Sequence, residues 1–137
     1  MGLDIFAYRI SKETIKEKNI NVNDIDQVCN ALKGREEDLY FRKVNFLYKY
    51  FEDSLENELC LCTKTEIKDI IDRCIEVLDK KDEAISKELL PTTSGFCFGS
   101  TEYDKWYYYD VNIVKESFEN LYKYLDDEDY IFWEFWW

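Results

Sequence analysis

The sequence predicts an α+β fold, in which four to five helices pack on a small sheet that pairs the N-terminal and C-terminal strands. Apolar residues alternate near both ends of the chain, which is typical of strands, whereas helical spacing dominates between them. The 137 residues are 46% hydrophobic and include no low-complexity linker or internal repeat. We therefore expect a single globular domain over residues 1–137.

The first part of the chain predicts one strand followed by three helices. Residues 3–10 alternate, and a short helical segment follows at 11–18. In the next helix Asn23 is the expected N-cap and Gly34 the stop. The strongest helical pattern spans Arg35 to Asn57, where acids occupy the first turns and the apolar face holds Leu39, Tyr40, Val44, Leu47, Phe51 and Leu55.

The middle of the chain predicts a short extended piece at residues 59–63 and then a long amphipathic helix capped by Thr63 or Thr65. A further short helix stops at Pro91, because proline disfavours helical geometry in the residue before it. Residues 95–99 form either a brief buried strand or an extended connector.

The last part of the chain predicts a helix capped by Asp110 with Val111, Val114, Phe118, Leu121 and Leu125 facing inward. The four acids at 126–129 form a solvated turn. Residues 130–137 then form an aromatic closing strand, whose natural neighbour is the N-terminal strand because an exposed aromatic edge needs pairing.

The charge is the most unusual global property of the chain. Thirty acids and 18 bases give a net charge of −12. Such a surface repels nucleic acid and anionic membranes and attracts basic surfaces, so we expect a protein partner with a basic surface and no direct nucleic-acid or membrane partner. The chain also lacks the basic and apolar regions of a signal peptide, which favours a cytoplasmic location.

The residue types disfavour catalysis and metal binding. Without any histidine, the usual general base and every Ser-His or Cys-His pair are missing, and no phosphate-binding glycine motif is present, so we expect no catalytic residues and no cofactor. The five cysteines are expected to be free thiols in a reducing compartment. Cys60 and Cys62 form a C-x-C pair but lack the further ligands of a structural zinc site, so we expect no metal.

Two clusters of carboxylates are candidates for a binding surface. Rows of carboxylates can imitate the phosphates of a duplex and compete for a basic cleft, although solvated faces and helix ends explain many of the same residues. The candidate acidic surface consists of Glu52, Asp53, Glu56, Glu58, Asp126, Asp127, Glu128 and Asp129.

The segment from Pro91 to Asp104 supports two interpretations. It holds the only proline and two of the four glycines, so it is either a connector clamped by the predicted helix or the lip of a pocket for an anionic or nucleotide-like ligand. Arg42, Asn45 and Lys49 are spaced i, i+3 and i+7, so we expect them to line one face of the predicted helix. In the first case Arg42 pairs with Asp104 while Asn45 bonds the loop backbone. The pocket candidates are Arg42, Asn45, Lys49, Thr92, Ser94, Ser100, Tyr103, Asp104 and Trp106.

The closing strand carries aromatic residues on both faces, and only one face can cover the helices. We expect Trp133, Trp136 and Trp137 to form a protein–protein contact, with a homodimer slightly favoured over a host target. Alternatively, the helical stretch after Ser11 folds back and buries these tryptophans.

Four blocks of the sequence occur in an order that resembles a family of small phage and prophage proteins. They are MGLDIFAYRI, FRKVNFLYKYF, LPTTSGFCFGSTEYDKWYYYD and the Trp-rich closing strand. The family often has Trp at Phe41 and His at Tyr48, so this chain departs from its helix motif at both positions. The family has no known activity, but the resemblance implies a phage protein in the cytoplasm of a bacterial host. Together with the charge, it suggests an anti-defence inhibitor, such as an anti-CRISPR, that docks on a nuclease.

Overall fold

The computed structural model describes residues 2–137 and confirms the α+β class, with six α-helices and a four-stranded antiparallel sheet. In chain order the elements are β1 (Asp4–Ile10), α1 (Lys12–Glu17), α2 (Ile25–Ala31), β2 (Leu39–Arg42), α3 (Asn45–Phe51), a 3-10 turn (Glu52–Ser54), β3 (Leu59–Thr63), α4 (Lys64–Lys80), α5 (Glu83–Leu89), α6 (Lys105–Tyr122) and β4 (Tyr130–Trp136). Within residues 2–137, none of these helices is long and apolar enough to span a membrane.

The sheet has the strand order β2–β1–β4–β3, so the N-terminal and C-terminal strands pair with each other, as predicted, and are its two central strands. β1 and β4 pair along their whole length, from Asp4 opposite Trp136 to Ile10 opposite Tyr130. This register places alternate residues on opposite faces of the sheet, because side chains along a strand alternate. Ala7 and Trp133 therefore share the inner face, while Phe6 and Glu134 share the outer face.

The inner face of the sheet carries the main core. Ile5, Ala7, Phe41, Trp133 and Phe135 project from it and pack against the buried sides of α3, α4 and α6. The apolar stripe predicted for α4 is buried at Ile67, Ile70, Ile71 and Cys74, and Thr63 caps this helix through a capping box with Glu66.

The outer face is covered over only half of its length. The short helices α1 and α2 fold back on it, and Val28 and Leu32 join Ile10 and Phe132 in a second, smaller core. No other helix in the described range packs on the remaining half, so the fold is a three-layer sandwich with one incomplete outer layer.

The prediction of one long helix over Arg35 to Asn57 is wrong. Residues 39–42 form edge strand β2, Lys43 adopts a left-handed conformation with φ of 58°, and α3 begins only at Asn45. The apolar spacing of this stretch suits a helix, but Phe41 points into the core and Tyr40 points out, which is the alternation of a strand. Pairing with β1 decides the conformation.

Two smaller predictions also need correction, and one open alternative is decided. The last helix begins at Lys105 with Asp104 as its N-cap, so Asp110 lies within the helix and does not cap it. Asp24, and not Asn23, caps α2. Residues 95–99 form a connector rather than a strand, in which Phe98 alone is buried.

Candidate functional site at the C-terminal end of the sheet

Four of the predicted acids lie together between α3 and β3, and we call them the 52–58 acids: Glu52, Asp53, Glu56 and Glu58. The carbonyl of Glu58 accepts the amide of Phe135 at 3.1 Å, which fixes this segment beside the end of β4. Burial, and then the negative charges of Glu58 and Glu52, raise the pKa of the Tyr48 phenol. Glu52 and Glu58 therefore lie near Tyr48, and Glu58 lies beside the end of β4.

The 52–58 acids are poorly compensated by cations. Lys49 Nζ lies 2.9 Å from the Glu52 carboxylate, whereas Asp53, Glu56 and Glu58 make no ion pair within residues 2–137. The Oε2 atom of Glu58 is buried without a hydrogen-bond partner in the same range. This end of the molecule therefore has an excess of negative charge that a cationic partner could balance.

Aromatic side chains adjoin these acids. The ring of Tyr48 lies 4.9 Å from that of Phe98 and 5.4 Å from that of Trp137, and the last two rings are 5.2 Å apart. Trp137 is 43% exposed, and Phe96, two residues before Phe98, is 69% exposed. Tyr48 therefore lies between carboxylates and the half-exposed Trp137, so this end of the sheet combines charge with apolar contact area.

The three tryptophans predicted at an interface occupy different environments. Trp133 is fully buried in the main core, where its indole N–H donates to Cys62 Sγ at 3.2 Å, so it cannot contact a partner. Trp136 lies on the outer sheet face and is 61% exposed. The segment after Ser11 does fold back on the sheet, as the alternative predicted, but it covers Phe132 and none of the three tryptophans.

The second predicted acidic cluster, residues 126–129, lies at the opposite end of β4 from the 52–58 acids. Asp129 is buried, which corrects the prediction of a fully solvated turn. Its carboxylate accepts hydrogen bonds from the Arg9 guanidinium at 2.7 Å, the Asp126 amide at 2.9 Å and the Lys12 amide at 3.1 Å. Asp126, Asp127 and Glu128 are exposed. The eight predicted acids therefore do not form a single surface, and Asp129 is a structural residue.

The loop between α5 and α6 is clamped by Asn45, as one of the two interpretations predicted. The Asn45 amide donates to the carbonyls of Phe98 at 3.2 Å and Ser100 at 3.0 Å, and its oxygen accepts the Thr93 amide at 3.2 Å. Asn45 is only 3% exposed, so these bonds satisfy backbone groups that would otherwise be buried unpaired. The loop is thereby held against the start of α3.

Arg42 and Lys49 do not share a helix face with Asn45, contrary to the prediction. Arg42 belongs to β2, where its guanidinium lies 3.7 Å from the Asp4 carboxylate, and Asp104 instead accepts the amides of Trp106 and Tyr107. Lys49 points towards Glu52.

A cavity of about 270 Å³ does lie beside the loop. Of the nine predicted pocket residues, Asn45, Thr92, Ser100, Asp104 and Trp106 line it, whereas Arg42, Lys49, Ser94 and Tyr103 do not. Glu102 and Asp110 also line it, and the only cation is Lys43. Burial, and then the charge of Asp104, raise the pKa of Asp110. An excess of carboxylates repels anions, so the lining does not favour the predicted anionic ligand.

The cysteines are free thiols in the described chain. Cys60 and Cys62 are both buried on the inner face of β3, and burial raises the pKa of the Cys60 thiol to about 12. A thiol with so high a pKa is protonated near neutral pH, which makes these residues part of the core rather than reactive groups.

Three residues that share the outer sheet face with Trp136 were not predicted from the sequence. Asp4, Phe6 and Tyr40 meet there because β2 pairs with β1, with Phe6 and Tyr40 rings 5.2 Å apart and the Tyr40 hydroxyl donating to Asp4 at 2.6 Å. The alternation of residues 39–42 was the available signal, but it was masked by the stronger helical spacing around it.

No protein-family model, curated protein or solved structure matches the chain. The resemblance to small phage proteins therefore remains a prediction. Charge and geometry are the basis on which the function can be inferred.

Proposed function

We propose that this protein is a non-enzymatic binding protein that docks its acidic, aromatic C-terminal end on a basic, nucleic-acid-handling protein surface. The observation that supports the proposal is that Glu52 and Glu58 lie near Tyr48, whose ring packs 5.4 Å from that of the half-exposed Trp137. The carboxylates supply charge that a nucleic-acid cleft attracts, and large aromatic side chains supply the apolar anchors of protein interfaces.

The partner we propose is a defence nuclease, for example a CRISPR effector, in the cytoplasm of a bacterial host. The resemblance to phage proteins motivates this choice, since a phage gains by blocking host nucleases. A different protein is favoured over a second copy of this chain, because two copies that each carry a net charge of −12 repel one another.

A plating assay tests the proposal. The chain is expressed in bacteria that carry CRISPR immunity against a chosen phage, and plaques are counted. We expect the wild-type chain to restore plating and the variant Glu52→Lys/Asp53→Lys/Glu56→Lys to lose this effect. The variant Asp126→Lys/Asp127→Lys/Glu128→Lys is the matched control, because it reverses the same number of exposed charges at the other end of β4. Equal activity of both variants, or no effect of the wild type across CRISPR types, contradicts the proposal.

A further inference from the structure

The uncovered half of the outer sheet face displays a compact set of six side chains. The register places Arg42, Asp4 and Trp136 in one row across β2, β1 and β4. Tyr40, Phe6 and Glu134 form the adjacent row. We call these six residues the open array.

Apolar surface remains exposed in the open array. Tyr40 is 46% exposed and Trp136 is 61% exposed, and Phe6 lies partly buried between them. On the other half of the same face, α1 and α2 cover the equivalent positions, so that Ile10 and Phe132 are each only 1% exposed. The outer layer of the fold is therefore missing one element above the open array.

The dimensions of the array match one helix. Three neighbouring strands span about 10 Å, since adjacent strands are about 4.8 Å apart, and this equals about two helical turns. Two alternate residues along a strand span about 7 Å, which fits within the width of about 10–12 Å of a helix with its side chains. A helix that crosses the strands would thus contact both rows.

The charges around the array define the chemistry of such a helix. The strand register places the carboxylates of Asp4 and Glu134 within the array. Burial, and then the charges of Glu134 and Glu37, raise the pKa of Tyr8, the next outer-face residue of β1 beyond the array. Arg42 is the single cation of the array and lies 3.7 Å from Asp4. Carboxylates around an apolar centre favour a ligand with basic residues beside apolar ones.

We propose that the open array binds a basic amphipathic helix of the partner protein, which completes the outer layer that α1 and α2 begin. This inference rests on the proposed function, because it assigns a contact segment to the basic partner. A second copy of the chain is disfavoured as the occupant, since the net charge of −12 opposes self-association.

The test uses two synthetic amphipathic helices of about four turns, with leucines on one face and either lysines or glutamates on the other. We expect calorimetry to detect binding of the lysine peptide at micromolar concentrations and none of the glutamate peptide. Trp136→Ala and Glu134→Lys should each weaken the lysine peptide about tenfold or more. Tyr124→Ala is the matched control, since it removes an aromatic side chain that is 72% exposed in the turn after α6, outside the array, and it should change the affinity less than about twofold.

Amide chemical shifts complete the test by locating the peptide. Perturbations centred on Phe6, Tyr40 and Glu134 support the inference, and perturbations elsewhere overturn it. Four other results also overturn the inference. The two peptides bind equally, the lysine peptide does not bind, a folded Trp136→Ala variant keeps the wild-type affinity, or the chain forms a dimer that Trp136→Ala dissociates. If plating is restored equally by wild type and Trp136→Ala, the proposed function stands and this inference fails. If the lysine peptide binds the array but the wild-type chain has no effect on plating, the proposed function fails while helix binding by the array stands.

Discussion

At the scale of single residues, two buried polar side chains hold the segments that flank the sheet. Asp129 joins the turn before β4 to Arg9 of β1, and Asn45 joins α3 to the loop before α6. Both satisfy groups that the fold removes from water, so we expect each to contribute more to stability than any of the exposed ion pairs.

Replacing Asp129 with Asn should lower the free energy of unfolding by about 2 kcal/mol, because both carboxylate oxygens accept hydrogen bonds and an Asn side chain keeps only one acceptor oxygen. Urea denaturation at neutral pH measures this change. Asp127→Asn provides the control, since the Asp127 side chain is 95% exposed and its loss should cost less than about 0.5 kcal/mol. Similar losses for both variants would show that Asp129 is not a structural residue.

The stability of the wild type should also fall with acid through Asp129. Burial alone would raise the pKa of Asp129, but the hydrogen bonds from Asp126, Arg9 and Lys12 outweigh it and hold the pKa below its ordinary value of 3.8. A depressed pKa adds stability above about pH 4 that disappears as pH falls through the folded pKa. We expect Asp129→Asn to lose less stability than the wild type between pH 7 and pH 3, and parallel losses would contradict this account.

Asn45→Ala should destabilise the protein by about 2–3 kcal/mol, because it leaves two loop carbonyls and the Thr93 amide without their partner. Ser94→Ala, at an exposed position of the same loop, should change stability by less than about 0.5 kcal/mol. Thermal melting compares the two variants, and hydrogen exchange at Thr93 should accelerate only in Asn45→Ala. An unchanged exchange rate would mean that other contacts hold the loop.

At the scale of elements, the sequence predicted those parts whose pattern is local. The alternation of β1, the cap of α4 at Thr63 (one of its two predicted candidates) and the stop at Pro91 depend on neighbouring residues, and each was confirmed. β2 depends on β1, some 35 residues earlier in the chain, so its four residues could not be separated from the surrounding helical pattern. The same long-range pairing creates the open array, which explains why Phe6 and Tyr40 were missed as surface residues.

Lys43 lies at the break between β2 and α3, and its backbone conformation leads to a testable prediction. Its φ of 58° is a left-handed conformation that costs a residue with a Cβ atom about 1 kcal/mol, and glycine avoids this cost. Lys43→Gly should therefore be about 0.5–1 kcal/mol more stable than Lys43→Ala in urea denaturation, since both lack the lysine side chain and only alanine keeps the strain. If the two variants are equally stable, strain at this position does not define the break.

At the scale of the whole molecule, one end of β4 brings carboxylates and exposed tryptophans together. The 52–58 acids, Trp137 and the open array lie around the C-terminal end of β4, while the acids at 126–129 are partly used to hold the opposite end together. Trp136, Trp137 and the 52–58 acids were predictable from composition and position in the sequence. Their shared location at one end of the molecule became visible only from the register of β4 and from the packing of residues 52–58 beside it.

The most direct test of the central claim is the displacement of DNA from an RNA-guided defence nuclease, measured at increasing salt. If the acidic end occupies a basic cleft, the chain should compete with DNA at low salt and lose most of its affinity between about 50 and about 200 mM salt, since screening weakens such contacts. The variant Glu52→Lys/Asp53→Lys/Glu56→Lys should not compete at any salt concentration. Competition that is insensitive to salt, or that survives this charge reversal, would contradict the account.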